Sequence, residues 1–253
     1  MLTVEEHAAV AVVRLDHGKA NVLDLDMLKA LIETMRRLAD GPAVVLTGTG
    51  TVFSGGVDLR RIVEGGPRYT REFLPALSEA FLAVFDHPRP VVAAVNGHAL
   101  AGGCIVVAAC DVRLMSGGTI GLTEMLVGVP FPTAALEIMR FAAGPAVTAL
   151  ALTGQAVTPD EARRIGLVDA VVQPAELLDD AVRRAAALAG IPATAYALTK
   201  EQLHRPARQR IAERQPIDDP RATALWESPE GQAAIGAYLD RLGQRRTARR
   251  SAD

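Results

Sequence analysis

Residues 91–124 read VVAAVNGHALAGGCIVVAACDVRLMSGGTIGLTE. The apolar run Val91–Val95 enters a tight polar turn at Asn96 and Gly97. A loop with the paired glycines Gly102 and Gly103 follows, then an apolar, helix-like run that ends at Asp111. Glycines after a strand and before a helix let the backbone come close to a ligand, with the first helical N–H groups unpaired and facing outward. That geometry stabilises negative charge. Further on, Glu124 stands alone as a carboxylate within the apolar segment GLTEML. A donor-rich loop and a nearly dry carboxylate are together the equipment for making and holding an enolate. The plainer alternative stays open at this point. Glycine loops between strand and helix are common, and one acid among apolar residues is also the pattern of an exposed helix end.

A second loop of the same kind lies upstream. Residues 43–47 form an apolar strand, which predicts burial on both faces. A turn at 48–51 leads into VFSGGVD at 52–58, and Asp58 opens a short helix whose first amides are again unpaired. Strand, loop, helix and strand thus recur from 43 to 63 and from 91 to 115. The recurrence predicts an α/β build with right-handed connections and two glycine loops side by side.

The remaining segments fit around this pair. Residues 2–6 and 10–15 read as strands joined at 7–9 into a hairpin. Asp24 is a plausible N-cap, followed by Leu25, Leu28, Leu31, Ile32, Met35 and Leu38 at helical spacing. Gly65, Gly66 and Pro67 mark a mobile connection into an amphipathic helix over 69–85. After Glu124 come a turn at 128–132, helices over 133–141 and 145–153, a helix start at Thr158 and Pro159, and a strand over 168–172. Beyond Pro174 the pattern is helical, over 175–189, 193–204 and shorter pieces to about Arg241. A boundary near 190–192 divides an α/β core, 1–190, from a helical region, 191–253. That region has too little core to stand alone, so it must pack on the α/β part or on a neighbouring subunit.

Composition narrows the functional classes. Across 253 residues, 49% are hydrophobic and 22% charged, with a formal net charge of −2, which leaves no electrostatic footprint for nucleic acid. The one basic run, 245–250, reads as a solvated, frayed terminus. The first ten residues lack a basic segment followed by an apolar one, and the mostly apolar run 91–110 is broken by Asn96, His98 and glycines. Neither pattern points to a membrane, and a cytoplasmic location is expected. Cys104 and Cys110 have no CxxC spacing and read as buried, reduced thiols. The five histidines are scattered, so no metal site is expected.

Taken in order, the motifs resemble the enoyl-CoA hydratase/isomerase (crotonase) superfamily. FSGGVD at 53–58 is similar to the first oxyanion loop of that family, and PVVAAVNGHALAGGC at 90–104 to the second. Thr153 and Gly154, Ala162, and GLVD at 166–169 resemble the segment that closes its core. The likeness runs from about residue 10 to the C-terminus. It implies an α/β fold, a spiral of ββα units with a C-terminal helical region used in trimerisation, and acyl-CoA thioester substrates. By motif matching it assigns the oxyanion N–H groups to Val57 and Gly102, and the CoA contacts to Ala20 through Val22 and to Val57, Asp58, Leu59 and Arg60. The CoA belongs to the substrate, so no separate cofactor is implied. Two preorganised donors, each contributing ~3 kcal/mol, would stabilise the oxygen on which charge develops.

One departure discriminates between reactions. Hydratases of the family carry two glutamates, one shortly after the glycine pair and one further on, which together position a water. Here the first position is Ile105, and only the second remains, as Glu124. A single base can remove a proton from C2 and return it at C4. The pattern therefore resembles the Δ3,Δ2-enoyl-CoA isomerases, as do the AGGC and GLTE forms. The rival readings are a hydratase borrowing another base, with Glu137 as a conceivable partner, a thioester hydrolase or decarboxylase, and a catalytically silent acyl-CoA-binding protein. An idle buried Glu124 would cost stability, which argues against silence. A lone helical acid such as Glu137 is usually on a solvated face. His17, Ser54 and His98 read as loop or packing residues. A homotrimer or homohexamer is expected.

Overall fold

The computed structural model describes residues 1–7 and 9–250, with side chains through 244. Strands β1 (Leu2–His7) and β2 (Val10–Leu15) pair antiparallel, from Leu2 opposite Leu15 to His7 opposite Val10. The turn expected at 7–9 includes Ala8, which lies outside the described residues. Helix α1 (Leu25–Arg37) starts as its sequence requires, with the Asp24 carboxylate accepting the Met27 N–H at 2.9 Å. Three repeats follow: β3 (Ala43–Gly48), β4 (Val52–Ser54) and α2 (Leu59–Phe85); β5 (Val91–Val95), β6 (His98–Leu100) and α3 (Gly102–Ala108); β7 (Val112–Met115), β8 (Ile120–Gly121) and α4 (Glu124–Val127). The chain continues through α5 (Thr133–Ala143), α6 (Ala146–Thr153), β9 (Ala156–Val157), α7 (Pro159–Arg164), β10 (Ala170–Val171), α8 (Leu177–Ala189), α9 (Ala193–Glu227) and α10 (Pro229–Arg250).

Each repeat contributes one strand to each of two sheets, which makes the fold a spiral of ββα units. One sheet runs β1-β2-β3-β5-β7-β10, the other β4-β6-β8-β9. Except for the β1–β2 and β8–β9 pairs, all neighbours are parallel. β3 is buried throughout because both its faces are covered, and its one polar side chain, Thr47, donates to Ala94 O at 2.8 Å. Val44 and Leu46 enter the main core with α1, α2 and α3, whereas Ala43 and Val45 pack under Leu177, Ala181 and Ala185 of α8.

Four details depart from the pattern in the sequence. Residues 65–67 do separate two helical stretches, but through a tight kink in α2 rather than a loop, where Gly66 takes the non-helical φ 59° and ψ −157°. The strand expected over 168–172 pairs only at Ala170 and Val171, because Val168 turns into the main core and Asp169 engages the Arg113 backbone at 2.7 Å. α9 continues as one helix through Pro206, Pro216 and Pro220. Packing on α2 and α5 supports it, as do the Thr133 N–H and hydroxyl, which both donate to the Asp219 carboxylate at 2.8 and 2.6 Å. α10 extends to Arg250, where fraying was expected; the side chains of the basic run 245–250 lie outside the described residues. Trp226 and Ile235 join the main core, so the C-terminal helices pack on the α/β part of their own chain.

Candidate active site

The two glycine loops meet. Gly56 has φ 84°, and a Cβ there would lie 2.7 Å from Leu100 O, 2.9 Å from Ala101 Cβ and 3.2 Å from Gly102 N. Only glycine permits so close an approach. The parallel bridge between Leu23 and Val57 is made by Leu23 N–H to Gly56 O, 2.8 Å, and Asp58 N–H to Leu23 O, 3.0 Å. Those bonds flank Val57, so its own N–H points to the other side of the bridge. Gly102 is the first residue of α3 and has no intrahelical acceptor. Ala101 before it takes φ 50° and ψ −124°, a conformation that costs a non-glycine residue about 1–3 kcal/mol. Such strain persists only where the surroundings fix it, and it sets the direction of the Gly102 N–H.

Ser54 ties the arrangement together. Its hydroxyl donates to Asn21 O at 2.8 Å and accepts the Gly56 N–H at 3.1 Å. Asn21, at φ 48°, anchors the preceding loop through its Nδ2, which donates to Val52 O at 2.7 Å and Thr49 O at 3.2 Å. His17 pairs with Asp24 at 2.8 Å, and His98 Nδ1 lies 3.0 Å from Thr119 Oγ1. None of these side chains borders the cavity described next, which agrees with their reading as loop and packing residues.

A cavity of about 510 Å³ opens beside the two loops. Ala20, Val22, Val57, Asp58, Leu59 and Arg60 form one part of its wall, and Gly102, Ile105 and Glu124 another. Every residue expected at the site except Asn21 thus borders one space. Glu124 is the first residue of α4 and is 8% exposed. Its Oε2 has no hydrogen-bond partner among the described residues. Burial pushes its carboxyl up to about 8, against the opposing backbone N–H groups of Thr123 and Glu124 itself. The other acid on the wall, Asp58, is engaged in capping α2, accepting from Arg60 N at 3.0 Å and Arg61 N at 3.3 Å. Ile105 is 1% exposed and brings no polar group.

Glu137 is not on a solvated face. It is 3% exposed, paired with Arg140 and held by Arg210 Nε at 2.5 Å, and it does not border the cavity. A buried carboxylate satisfied by two guanidiniums is a structural pair, which removes it as a second acid at this site. Cys104 and Cys110 are free and buried, and burial holds both thiols well above the usual range. Among the described residues no three metal-ligating side chains cluster, and no helix is long and apolar enough to cross a membrane.

Two contributions escaped the sequence. The resemblance placed Asn21 only along the CoA, whereas its side chain ties the loops together. Trp226, Tyr238 and Leu239, from the helical region expected to serve oligomerisation, build an apolar wall of the cavity. Trp226 is the single tryptophan of the chain, which was the one available clue.

The model of the family described as enoyl-CoA hydratase/isomerase matches residues 5–245. The chain belongs to the enoyl-CoA hydratase/isomerase family. It is 33% identical over 209 residues to the short-chain-enoyl-CoA hydratase of Clostridium acetobutylicum, covering 80% of each chain. It is 28% identical over 251 residues to the mitochondrial enoyl-CoA delta isomerase 1 of Rattus norvegicus, covering 96% of this chain and 86% of the relative. Among solved structures, human mitochondrial delta3-delta2-enoyl-CoA isomerase superposes with a TM-score of 0.91 at 27% identity, over 96% of this chain and 98% of that one. Relatives of both reaction types are similar to this enoyl-CoA hydratase/isomerase family member, so the choice between the reactions falls to the side chains in the cavity.

Proposed function

We propose that the chain is a Δ3,Δ2-enoyl-CoA isomerase. The observation that carries this is the cavity wall, where Glu124 keeps a carboxylate oxygen without a partner and Ile105, a saturated hydrocarbon, occupies the place of a second acid. In the proposed reaction the thioester oxygen accepts the N–H groups of Val57 and Gly102. The Glu124 carboxylate removes a proton from C2, and the C–H electron pair flows into a dienolate spread over the thioester oxygen, C2 and C4. The Glu124 carboxyl then returns that proton at C4. The double bond moves from C3–C4 to C2–C3, the thioester carbonyl re-forms and the base is restored. No water, metal or redox group enters the balance.

The elevated affinity of Glu124 for a proton suits both halves. It makes the carboxylate a stronger base toward C2 and keeps the acid protonated long enough to be delivered to C4. Hydration asks for more, because a water must be oriented and deprotonated beside C3. Ile105 supplies no acceptor for it. The CoA portion lies along Ala20, Val22, Asp58, Leu59 and Arg60, as a substrate group and not a resident cofactor. We include a homotrimer or homohexamer in the proposal. It is supported by apolar side chains left exposed on the outside of α9 and nearby, among them Leu198, Leu203 and Ile217.

The test is an assay of purified protein with paired 3-enoyl and 2-enoyl thioesters of equal length. Conversion of the 3-enoyl substrate that outruns hydration of the 2-enoyl one is the expected result. The reverse ranking overturns the isomerase reading while leaving the family intact.

A further inference from the structure

The cavity wall is of two unlike kinds. Lys19, Asp58 and Arg60 bring charged groups to it. Away from them the wall is hydrocarbon, contributed by Leu77 of α2, Val129 and Pro130 after the base, and Trp226, Tyr238 and Leu239 of the C-terminal helices. Exposure orders this wall. Leu242 at its rim is 39% exposed, Tyr238 and Leu239 are half-buried, and Leu77 and Trp226 are 2% exposed. Trp226 therefore borders the space as one of the most buried side chains of this apolar wall.

The indole is fixed there. Its Nε1–H donates to Pro130 O at 2.9 Å, and the Trp226 carbonyl accepts Gln232 Nε2 at 2.8 Å. Swinging the ring aside would leave a buried carbonyl and a buried N–H unpaired, so the wall does not yield to a longer ligand. Pro130 is itself held close to the catalytic segment, since Val129 N–H bonds to Glu124 O at 3.2 Å. The distance from base to indole is thus set by one short, rigid stretch.

We propose that Trp226 is the specificity-determining end stop of the acyl channel, so that this protein takes acyl thioesters up to a limiting chain length and rejects longer ones. The proposal rests on the acyl-CoA reading of the cavity, but not on which reaction Glu124 performs. An apolar chain lengthened toward Trp226 gains burial with each methylene until it meets the ring. Beyond that point the added carbons have no place to go except back toward the rim at Leu242.

Because Trp226 is the only tryptophan, wild-type protein reports on the contact directly. Saturated straight-chain acyl-CoAs, which cannot react, are titrated in order of length while tryptophan emission and affinity are recorded together. The expected result is an emission change that is absent with acetyl-CoA, appears at one chain length, and coincides with the length at which affinity stops rising. Trp226→Leu, with helicity and oligomeric state checked, should move the affinity plateau to chains about two to four carbons longer. Trp226→Phe should move it less. If affinity keeps rising with length in wild type, or if emission does not depend on acyl length, the end-stop role is overturned. Failure of isomerase activity with this binding pattern intact would overturn the reaction assignment alone.

Discussion

Ile105 and Glu124 border the same cavity from successive repeats of the spiral, one on α3 and one at the start of α4. The first is apolar and sealed; the second keeps a carboxylate oxygen without a partner. That pairing of a hydrocarbon with a lone base sets the terms for each expectation about the reaction.

Replacing Glu124 by Gln should preserve fold and acyl-CoA binding and reduce isomerisation by about 10²–10⁴-fold, the usual contribution of a positioned base. Steady-state rates on a 3-enoyl-CoA, alongside calorimetric binding of a saturated analogue, measure the two halves. A Gln variant that keeps most of its turnover would remove Glu124 from the base role.

The pH dependence follows from the same carboxyl. Only its ionised form removes the C2 proton, so kcat/KM should rise with pH and level off above about 8. Stability should move the other way. Glu124 binds its proton more tightly folded than unfolded, so the folded state holds the extra proton between about 4.5 and 8 and loses stability as pH rises through that window. The full span corresponds to about 5 kcal/mol as an order of magnitude. Denaturant midpoints of wild type should fall across this range relative to Glu124→Gln. Parallel curves for the two proteins would show that the acid is not so perturbed.

Wild type should hydrate crotonyl-CoA more slowly than it isomerises a 3-enoyl-CoA of similar length. Ile105→Glu should add at most weak hydration and destabilise the core by a few kcal/mol, roughly, because a new carboxylate is placed where no partner waits. Product analysis of wild type decides the matter, whatever the variant does.

Ser54→Ala should weaken catalysis without touching the substrate. The hydroxyl both accepts from Gly56 N–H and donates to Asn21 O, so its loss leaves two buried groups unpaired, at about 1–3 kcal/mol. The loops it ties carry Val57 and Asn21. A fall in kcat larger than the change in the binding of saturated acyl-CoA is expected. Equal loss of both, or of neither, would mean that Ser54 does not position the oxyanion donors.

In solution the molecule should be a trimer or a pair of trimers. Light scattering at micromolar concentration checks this, and a clean monomer with intact acyl-CoA binding would refute it.

Local chemistry in the sequence determined β1, β2, β3, β5 and β7, most helices, the two glycine loops and the isolation of Glu124, whereas the short strands β6, β8 and β9 came only with the fold. Alternation of turn residues with fully apolar runs leaves few other ways to bury β3 and β5. The same residues carried the resemblance to the family and the substitution at Ile105. Tertiary structure alone decided what depended on distant partners. A helix-surface acid such as Glu137 looks solvated until Arg210, far along the chain, packs onto it. Three prolines look like helix ends until α9 is supported on α2 and α5. The side chain of Trp226 carries no sign of its neighbours, and only the return of the C-terminal helices over α4 and α2 sets it against the cavity. Periodicity and turn chemistry act over a few residues, whereas burial, pKa and the shape of a cavity are properties of what the folded chain brings together.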